Sequence, residues 1–120
     1  WYTTSGGSAN LSVCPNTNAS VSVTTSNTQV IAASGSTSVK VCGIIGVGST
    51  GLNLTLASGT GGNCTVLGAT VFSINPLEPT NYQFIGGGTG FIAPAFASSQ
   101  PMCAKTSTGT ANIIVQYLQS

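Results

Sequence analysis

Four cysteines are the residues of this 120-residue chain whose chemistry is easiest to define, and they are Cys14, Cys42, Cys64 and Cys103. They are separated by 28, 22 and 39 positions, so none belongs to the close C-x-x-C pair that zinc sites in small domains use. The chain has no histidine that could activate a cysteine nucleophile. Two disulfides are therefore predicted, with three connectivities open. Four buried free thiols and a cross-link between subunits are the alternatives.

Charged residues are the scarcest class, since Lys40, Lys105 and Glu78 make up 2% of the chain, against about a quarter of a typical soluble domain. A Ser-His-Asp triad, a carboxylate pair, a His-ligated metal and a basic nucleic-acid face all need residues that are missing here. We therefore expect no enzyme, no cofactor and no nucleic-acid partner. Glu78 is interpreted as an exposed turn residue, and the lysines as solvent-facing or edge-protecting residues.

Two other motif types carry less weight. The glycine-rich runs at residues 43–48 and 86–90 resemble phosphate-binding loops, but neither opens a plausible helix or precedes a P-loop lysine, so a structural role is predicted. N-glycosylation sequons would be used if the chain is secreted by a eukaryote or an archaeon. The four sequons begin at Asn10, Asn18, Asn53 and Asn63.

Apolar and polar residues alternate with a period of two, which is typical of half-buried strands. The alternation covers residues 20–24, 39–43, 52–56, 71–75 and 112–118, and clusters of glycine, serine and threonine separate these segments. The last segment is apolar on parts of both faces, so we expect it at the centre of a sheet or at a subunit contact. No window of eleven residues carries a helical stripe. The prediction is an all-β fold, an antiparallel β-sandwich that is jelly-roll-like or immunoglobulin-like, with no substantial helix.

The chain is predicted to contain a flexible arm at residues 1–12 and a single β-sandwich domain at residues 13–120. Its longest apolar stretches have about seven residues, well short of the ~20 that a membrane-spanning helix needs. A nearly uncharged surface favours association, and exposed aromatic residues contribute much of the energy of interfaces. The interface candidates are Trp1, Tyr2, Phe91, Phe96 and Tyr117.

The surroundings of the cysteines resemble those of small four-cysteine, β-rich virion proteins of tailed phages and prophages. The matching segments are residues 33–43 (ASGSTSVKVCG), 57–65 (ASGTGGNCT), 102–107 (MCAKTS) and the closing strand at 114–117 (IVQY). The resemblance covers roughly residues 14–118, and residues 66–96 depart from the pattern. It implies a head decoration or head-fibre protein located in the virion, which binds a major capsid protein or another virion protein and also forms a homo-oligomer, with a trimer as the expected form.

Two other functions fit the composition. A secreted filament or adhesin subunit, located outside the cell and assembled by strand donation into a neighbour's sheet, would suit a Ser- and Thr-rich β-domain with an N-terminal arm. A complete sandwich would favour the virion protein, whereas an incomplete sheet would favour the filament subunit. A carbohydrate-binding module is the weaker alternative, because the aromatic residues that could form its site have no charged neighbours; these are Tyr82, Phe84, Phe91 and Phe96.

Overall fold

Within the described residues the chain forms eight strands and no helix. The computed structural model describes residues 17–48, 51–74, 83–86, 91–92 and 94–120, so the predicted arm at residues 1–12 lies outside it. The all-β prediction is confirmed. The strands are β1 (Asn18–Val23), β2 (Thr28–Ile31), β3 (Val39–Gly48), β4 (Leu54–Thr60), β5 (Asn63–Ile74), β6 (Gln83–Gly86), β7 (Met102–Thr106) and β8 (Ala111–Gln119).

The strands form two four-stranded antiparallel sheets, a first sheet with the order β1-β8-β3-β6 and a second sheet with the order β2-β7-β4-β5. Their pairing is nested, because β1 pairs with β8, β2 with β7, β3 with β6, and β4 with β5. Eight strands wrapped in this order form a jelly roll, whereas an immunoglobulin sandwich groups its strands differently. The predicted β-sandwich is therefore confirmed, in its jelly-roll form.

The inner faces of the two sheets meet in one apolar core. Strict alternation produces it: in β8, Ile113 and Val115 are buried, whereas Ile114 between them is 41% exposed. Each large aliphatic side chain buried in this way stabilises the fold by about 1.5–3 kcal/mol relative to an exposed one. The core residues are Val23, Ile31, Val39, Val41, Ile44, Leu52, Leu54, Leu56, Ile74, Phe96, Met102, Ala104, Ala111, Ile113 and Val115.

A β-bulge changes the phase of β3 in the middle of the strand. Val41 is buried as expected, but the register against β8 shifts between Val41 and Gly43, so that Cys42 is an extra residue. Gly43 then pairs with Gln116, and the next core side chain is that of Ile44. Because a bulge redirects the residues that follow it, Ile44 and not Gly43 continues the core face of Val41, although Gly43 is itself buried.

The β4-β5 hairpin reverses direction at Gly61 and Gly62, whose φ values of +66° and +83° lie in the region that glycine tolerates best. The glycine-rich cluster at residues 59–63 begins inside β4, because Gly59 still belongs to that strand. The Gly59 N–H donates a hydrogen bond of 3.0 Å to the Pro101 carbonyl oxygen. The Asn63 carbonyl group approaches Gly59 so closely that a Cβ atom would overlap it.

A Gly59→Ala variant should lose roughly 1–3 kcal/mol of unfolding free energy, the usual range for overpacking. The new methyl group would overlap the Asn63 carbonyl and lie 2.8 Å from Pro101 Cγ. Urea denaturation measures the loss. Gly68→Ala is the matched control, because the nearest atom to its added Cβ would be the Ser58 carbonyl oxygen at 3.3 Å. Equal losses in the two variants would show that the close approach at Gly59 does not constrain β4.

Candidate functional site

The two described lysines lie on different sheets of this fold. Lys105 is exposed on β7 in the second sheet. Lys40 lies on β3, where its Nζ donates to the carbonyl oxygen of Ser120 at 2.9 Å and to its Oγ at 2.7 Å. Glu78 lies outside the described residues. Within the described ranges no group of three or more His, Cys, Asp or Glu residues could hold a metal ion, and no helix could span a membrane.

Lys40 does not protect a sheet edge, contrary to one of the two roles predicted for it. Its strand lies inside the first sheet, between β8 and β6. On the side away from β8, the carbonyl oxygens of Val39 and Val41 accept hydrogen bonds of 2.9 Å from the N–H groups of Phe96 and Ile92. The residues on both sides of Lys40 are therefore already paired.

A disulfide joins Cys64 at the start of β5 to Cys103 in β7, with 5.8 Å between their Cα atoms. These strands are not neighbours, because β4 lies between them. The prediction of a disulfide is confirmed for this pair. Cys42 is also disulfide-bonded, no described cysteine is free, and Cys14 lies outside the described residues. Of the three connectivities, only the one that pairs Cys14 with Cys42 contains the observed bond.

The surface of the first sheet that points away from the core is apolar at its centre. Ser20 of β1, Ile114 of β8 and Ile45 of β3 form one row across three paired strands. Residues paired in this way share a face of the sheet, and this face is opposite to that of the buried Ile113 and Val115. Ile114 is 41% exposed and Ile45 is half-buried. Water-facing sides of antiparallel sheets usually carry polar residues, so this row marks a candidate interaction surface.

Uncharged polar side chains surround the apolar row. The Ser22 Oγ donates a hydrogen bond of 2.6 Å to the Asn112 Oδ1, and Asn18, Gln116 and Gly43 form the next row across the same strands. A hollow of about 70 Å³ lies where the two rows meet. We call this surface the outer face, and its residues are Asn18, Ser20, Ser22, Gly43, Ile45, Asn112, Ile114 and Gln116.

The water-facing side of the second sheet carries a lysine. Thr55 of β4 pairs there with Lys105 of β7, on the side opposite to the buried Leu54 and Leu56. Lys40 likewise lies on the water-facing side of the first sheet, because it pairs with Leu118 of β8 and its neighbours Val39 and Val41 face the core. Each sheet therefore carries one lysine on its water-facing side, and the exposed apolar row alone makes the outer face a candidate interaction surface.

The predicted interface aromatics fall into four groups. Phe91 is 41% exposed and remains a candidate. Tyr117 is half-buried and packs against the core. Phe96 is 1% exposed, so its selection as an interface residue is corrected: it fills the core beside β3 and has no surface to offer. Trp1 and Tyr2 lie outside the described residues.

The sequon asparagines of the described residues are at the surface. Asn18, Asn53 and Asn63 are exposed, and Asn10 lies outside the described residues. The Asn63 Oδ1 accepts a hydrogen bond of 2.9 Å from the Thr65 N–H. These positions are therefore accessible to modification if the chain is secreted, and glycosylation itself stays a prediction.

The sequence predicted a contact surface on β8 but not the part of the outer face that lies on β3. The two apolar faces of β8 were visible in its periodicity, which is why a subunit contact was considered there. Ile45 was missed because strict alternation from Val41 places Ile45 inside, and the bulge at Cys42 reverses that assignment. No signal in a single sequence reveals such a bulge.

Comparisons with known proteins give little. No protein-family model matches the sequence, and no curated protein matches it. Among solved structures, the Dit protein (gp 19.1) of SPP1, described as a paradigm of the hub adsorption apparatus in phages that infect Gram-positive hosts, aligns with a TM-score of 0.41 at 7% identity. The alignment covers 85% of this chain and 47% of that chain, so this chain spans about half the length of the SPP1 protein. The jelly-roll assignment follows from the strand order and does not depend on this likeness.

Proposed function

We propose that this chain is a non-enzymatic structural protein of a virion, a capsid decoration or head-fibre protein that attaches to the phage shell through many identical contacts. The observation that carries the proposal is a complete jelly roll with a closed core. Jelly rolls recur in viral capsids and in lectins, which is an argument by analogy of fold. The cysteine contexts, which resemble those of tailed-phage virion proteins, support the same assignment.

Completeness of the sandwich separates this function from that of a filament subunit. A subunit that receives a donated strand lacks one strand of its own, which leaves part of its core open until a neighbour fills it. Here every one of the eight strands has its jelly-roll partner. Core residues of both sheets, such as Val23, Val115 and Leu56, are 0% exposed. Among the described strands no position of the jelly roll is vacant, which favours a self-contained unit that rests on another protein.

Attachment to a repeating shell does not require a high affinity at each single contact. Several weak contacts made together give strong attachment, because the second and later contacts form at a high effective concentration. Exposed apolar side chains other than those of the outer face are available for the shell: Phe91 is 41% exposed and Val66 is 60% exposed. We propose that these exposed side chains contact a major capsid protein or another virion protein. Further copies of this chain are proposed as additional partners.

The disulfide fits a virion protein only if it forms late. Phages assemble in a reducing cytosol, where disulfides are disfavoured. We infer that Cys64 and Cys103 become oxidised after the host cell lyses, when the shell is already assembled. The bond would then fix the domain in the form in which it met the shell.

Immunogold electron microscopy of particles from the source culture tests the proposal, with an antibody raised against the purified chain. We expect gold over icosahedral heads, and none when the antibody has first been absorbed with the purified chain. Gold along thin extracellular threads would contradict the proposal and identify a filament subunit instead. Gold confined to phage tails would retain the virion class and reject the decoration role.

A further inference from the structure

We propose that the residues before Thr17 cross β8 and cover part of the outer face, where a disulfide between Cys14 and Cys42 holds them. This inference does not depend on the proposed virion function, because it concerns a segment of the chain on its own domain. It starts from Cys42, which is disulfide-bonded and 0% exposed. Since Cys64 and Cys103 are bonded to each other, Cys14 is the one other cysteine of the sequence.

The described part of the chain begins beside Cys42, with only β8 between them. The Thr17 carbonyl oxygen accepts a hydrogen bond of 3.0 Å from the Tyr117 N–H of β8. On the other side of β8, Tyr117 pairs with Val41, the residue before Cys42. Neighbouring strands lie about 4.8 Å apart, so β1 and β3 are separated by about 10 Å at this level.

Only two residues lie between Cys14 and Thr17, and they leave the chain one route to Cys42. Three residue steps span at most about 11 Å, and the Cα atoms of a disulfide lie about 5.5 Å apart. The segment must therefore cross β8 almost directly. The core side of β8 is closed, because Val115 is 0% exposed and packs in the core. A path around the end of β8 is too long, since that strand continues to Gln119. The remaining route runs over the outer face.

The sequence before Cys14 carries the apolar side chains that such a cover needs. Leu11 and Val13 alternate with polar residues, a pattern typical of a strand with one apolar face. Residues 1–16 contain no charged side chain, so laying this segment on the sheet buries no side-chain charge that would need a partner. The segment is therefore suited to an apolar surface.

The spacing of residues on the two sides of the disulfide brings these side chains to the apolar row. Leu11 precedes Cys14 by three residues, and Ile45 follows Cys42 by three. A segment that runs from the disulfide along β3 therefore brings Leu11 level with Ile45 and its pair Ile114.

The hollow of about 70 Å³ lies on this path. Gly43, Ile45 and Ile114 are among the residues that line it. Because Gly43 has no side chain, the hollow leaves room for an apolar side chain from the covering segment. Val13, which directly precedes Cys14, is the residue that we assign to it.

The opposite direction along β3 leads to a charged residue. Lys40 lies on the same side of the first sheet, because it pairs with Leu118, and its Nζ donates to the Ser120 carbonyl oxygen at 2.9 Å. An apolar side chain laid there would remove water from an ammonium group, which costs free energy. The direction towards Ile45 is therefore the favourable one.

Disulfide mapping of the full chain tests the anchor. A chymotryptic digest made without reductant is analysed by mass spectrometry, and we expect a peptide pair that joins Cys14 to Cys42 within a monomeric chain. A free thiol at either position would overturn the proposal. A Cys14–Cys42 link between two chains, visible as a dimer on a non-reducing gel, would also overturn it.

A double-mutant cycle in the full chain tests the cover, with Leu11→Ser and Ile114→Thr made singly and together. Threonine keeps the β-branched shape that strands favour and removes apolar surface from the row. We expect each single variant to melt about 4 °C below the unmodified chain. The double variant should melt close to the lower single variant, because residues in contact do not contribute additively.

Val66→Thr is the matched control for the cycle, since Val66 is 60% exposed on β5 in the other sheet. It should leave the melting temperature within about 2 °C of the unmodified chain, and its effect should add to that of Leu11→Ser. Additive losses for Leu11→Ser and Ile114→Thr would overturn the proposed cover. An Ile114→Thr variant that melts like the Val66→Thr variant would overturn it as well.

Discussion

A Val41→Asp variant should not fold. Val41 is 0% exposed in the interior of β3, which pairs on one side with β8 and on the other accepts a hydrogen bond from the Ile92 N–H at the Val41 carbonyl. None of the described residues could offer an aspartate there a buried positive charge. An unpaired buried charge costs several kcal/mol, and the lost valine packing adds to that loss. The total approaches the whole stability of a small domain, about 5–15 kcal/mol.

The same substitution on the surface is the control for the effect of adding a charge. Val66→Asp places a carboxylate on a β5 residue that is 60% exposed, so its unfolding free energy should change by no more than about 0.5 kcal/mol. Circular dichroism and urea denaturation of both purified variants measure the difference. A folded Val41→Asp variant that melts normally would show that Val41 does not face the core and that the phase of β3 before its bulge is misassigned.

Local alternation was enough to predict much of the fold. The buried Ile113 and Val115 and the exposed Ile114 follow from a strict period of two, and the turn residues Gly61 and Gly62 have the positive φ expected of glycine in a hairpin. Such features depend on neighbours in sequence, and a single sequence contains that information. The all-β class and the sandwich are its direct consequences.

The nested pairing and the disulfide partner could not be predicted from local patterns. In β1 the residue Ser20 pairs with Ile114 of β8, almost the whole described chain away, and nothing in either strand specifies the other. The same holds for Cys64 and Cys103, because four cysteines allow three pairings and their spacing does not choose among them. The strand pairing and the disulfide partner both depend on contacts between segments that are distant in sequence.

Tertiary packing also explains the two residues whose burial the sequence did not predict correctly. Phe96 was selected as an interface residue because it is aromatic, yet it is 1% exposed in the core, and its N–H donates a hydrogen bond of 2.9 Å to the Val39 carbonyl oxygen. Ile45 has the sequence context of a core residue and points outward because of the bulge. A candidate contact surface in this protein therefore depends on one inserted residue.

Removing the Cys64–Cys103 disulfide should lower the unfolding free energy by about 4 kcal/mol. The bond spans 39 positions of the sequence, and the entropy of closing a loop of this length in the unfolded chain sets that magnitude. For a domain of this size, such a loss corresponds to a fall in melting temperature of about 15 °C. A Cys64→Ala, Cys103→Ala double variant tests the prediction by differential scanning calorimetry. Alanine is chosen because both cysteines are buried and serine hydroxyls would need new hydrogen-bond partners.

A reducing agent separates this bond from the one at Cys42. The double variant without reductant retains the disulfide of Cys42, so reductant should lower its melting temperature further, and the reduced unmodified chain should melt near the reduced variant. An unreduced double variant that melts within about 3 °C of the unmodified chain would contradict the prediction. It would mean that β4, which lies between β5 and β7 and pairs with both, holds them together without the covalent link. The late oxidation inferred for the virion would then not stabilise the domain.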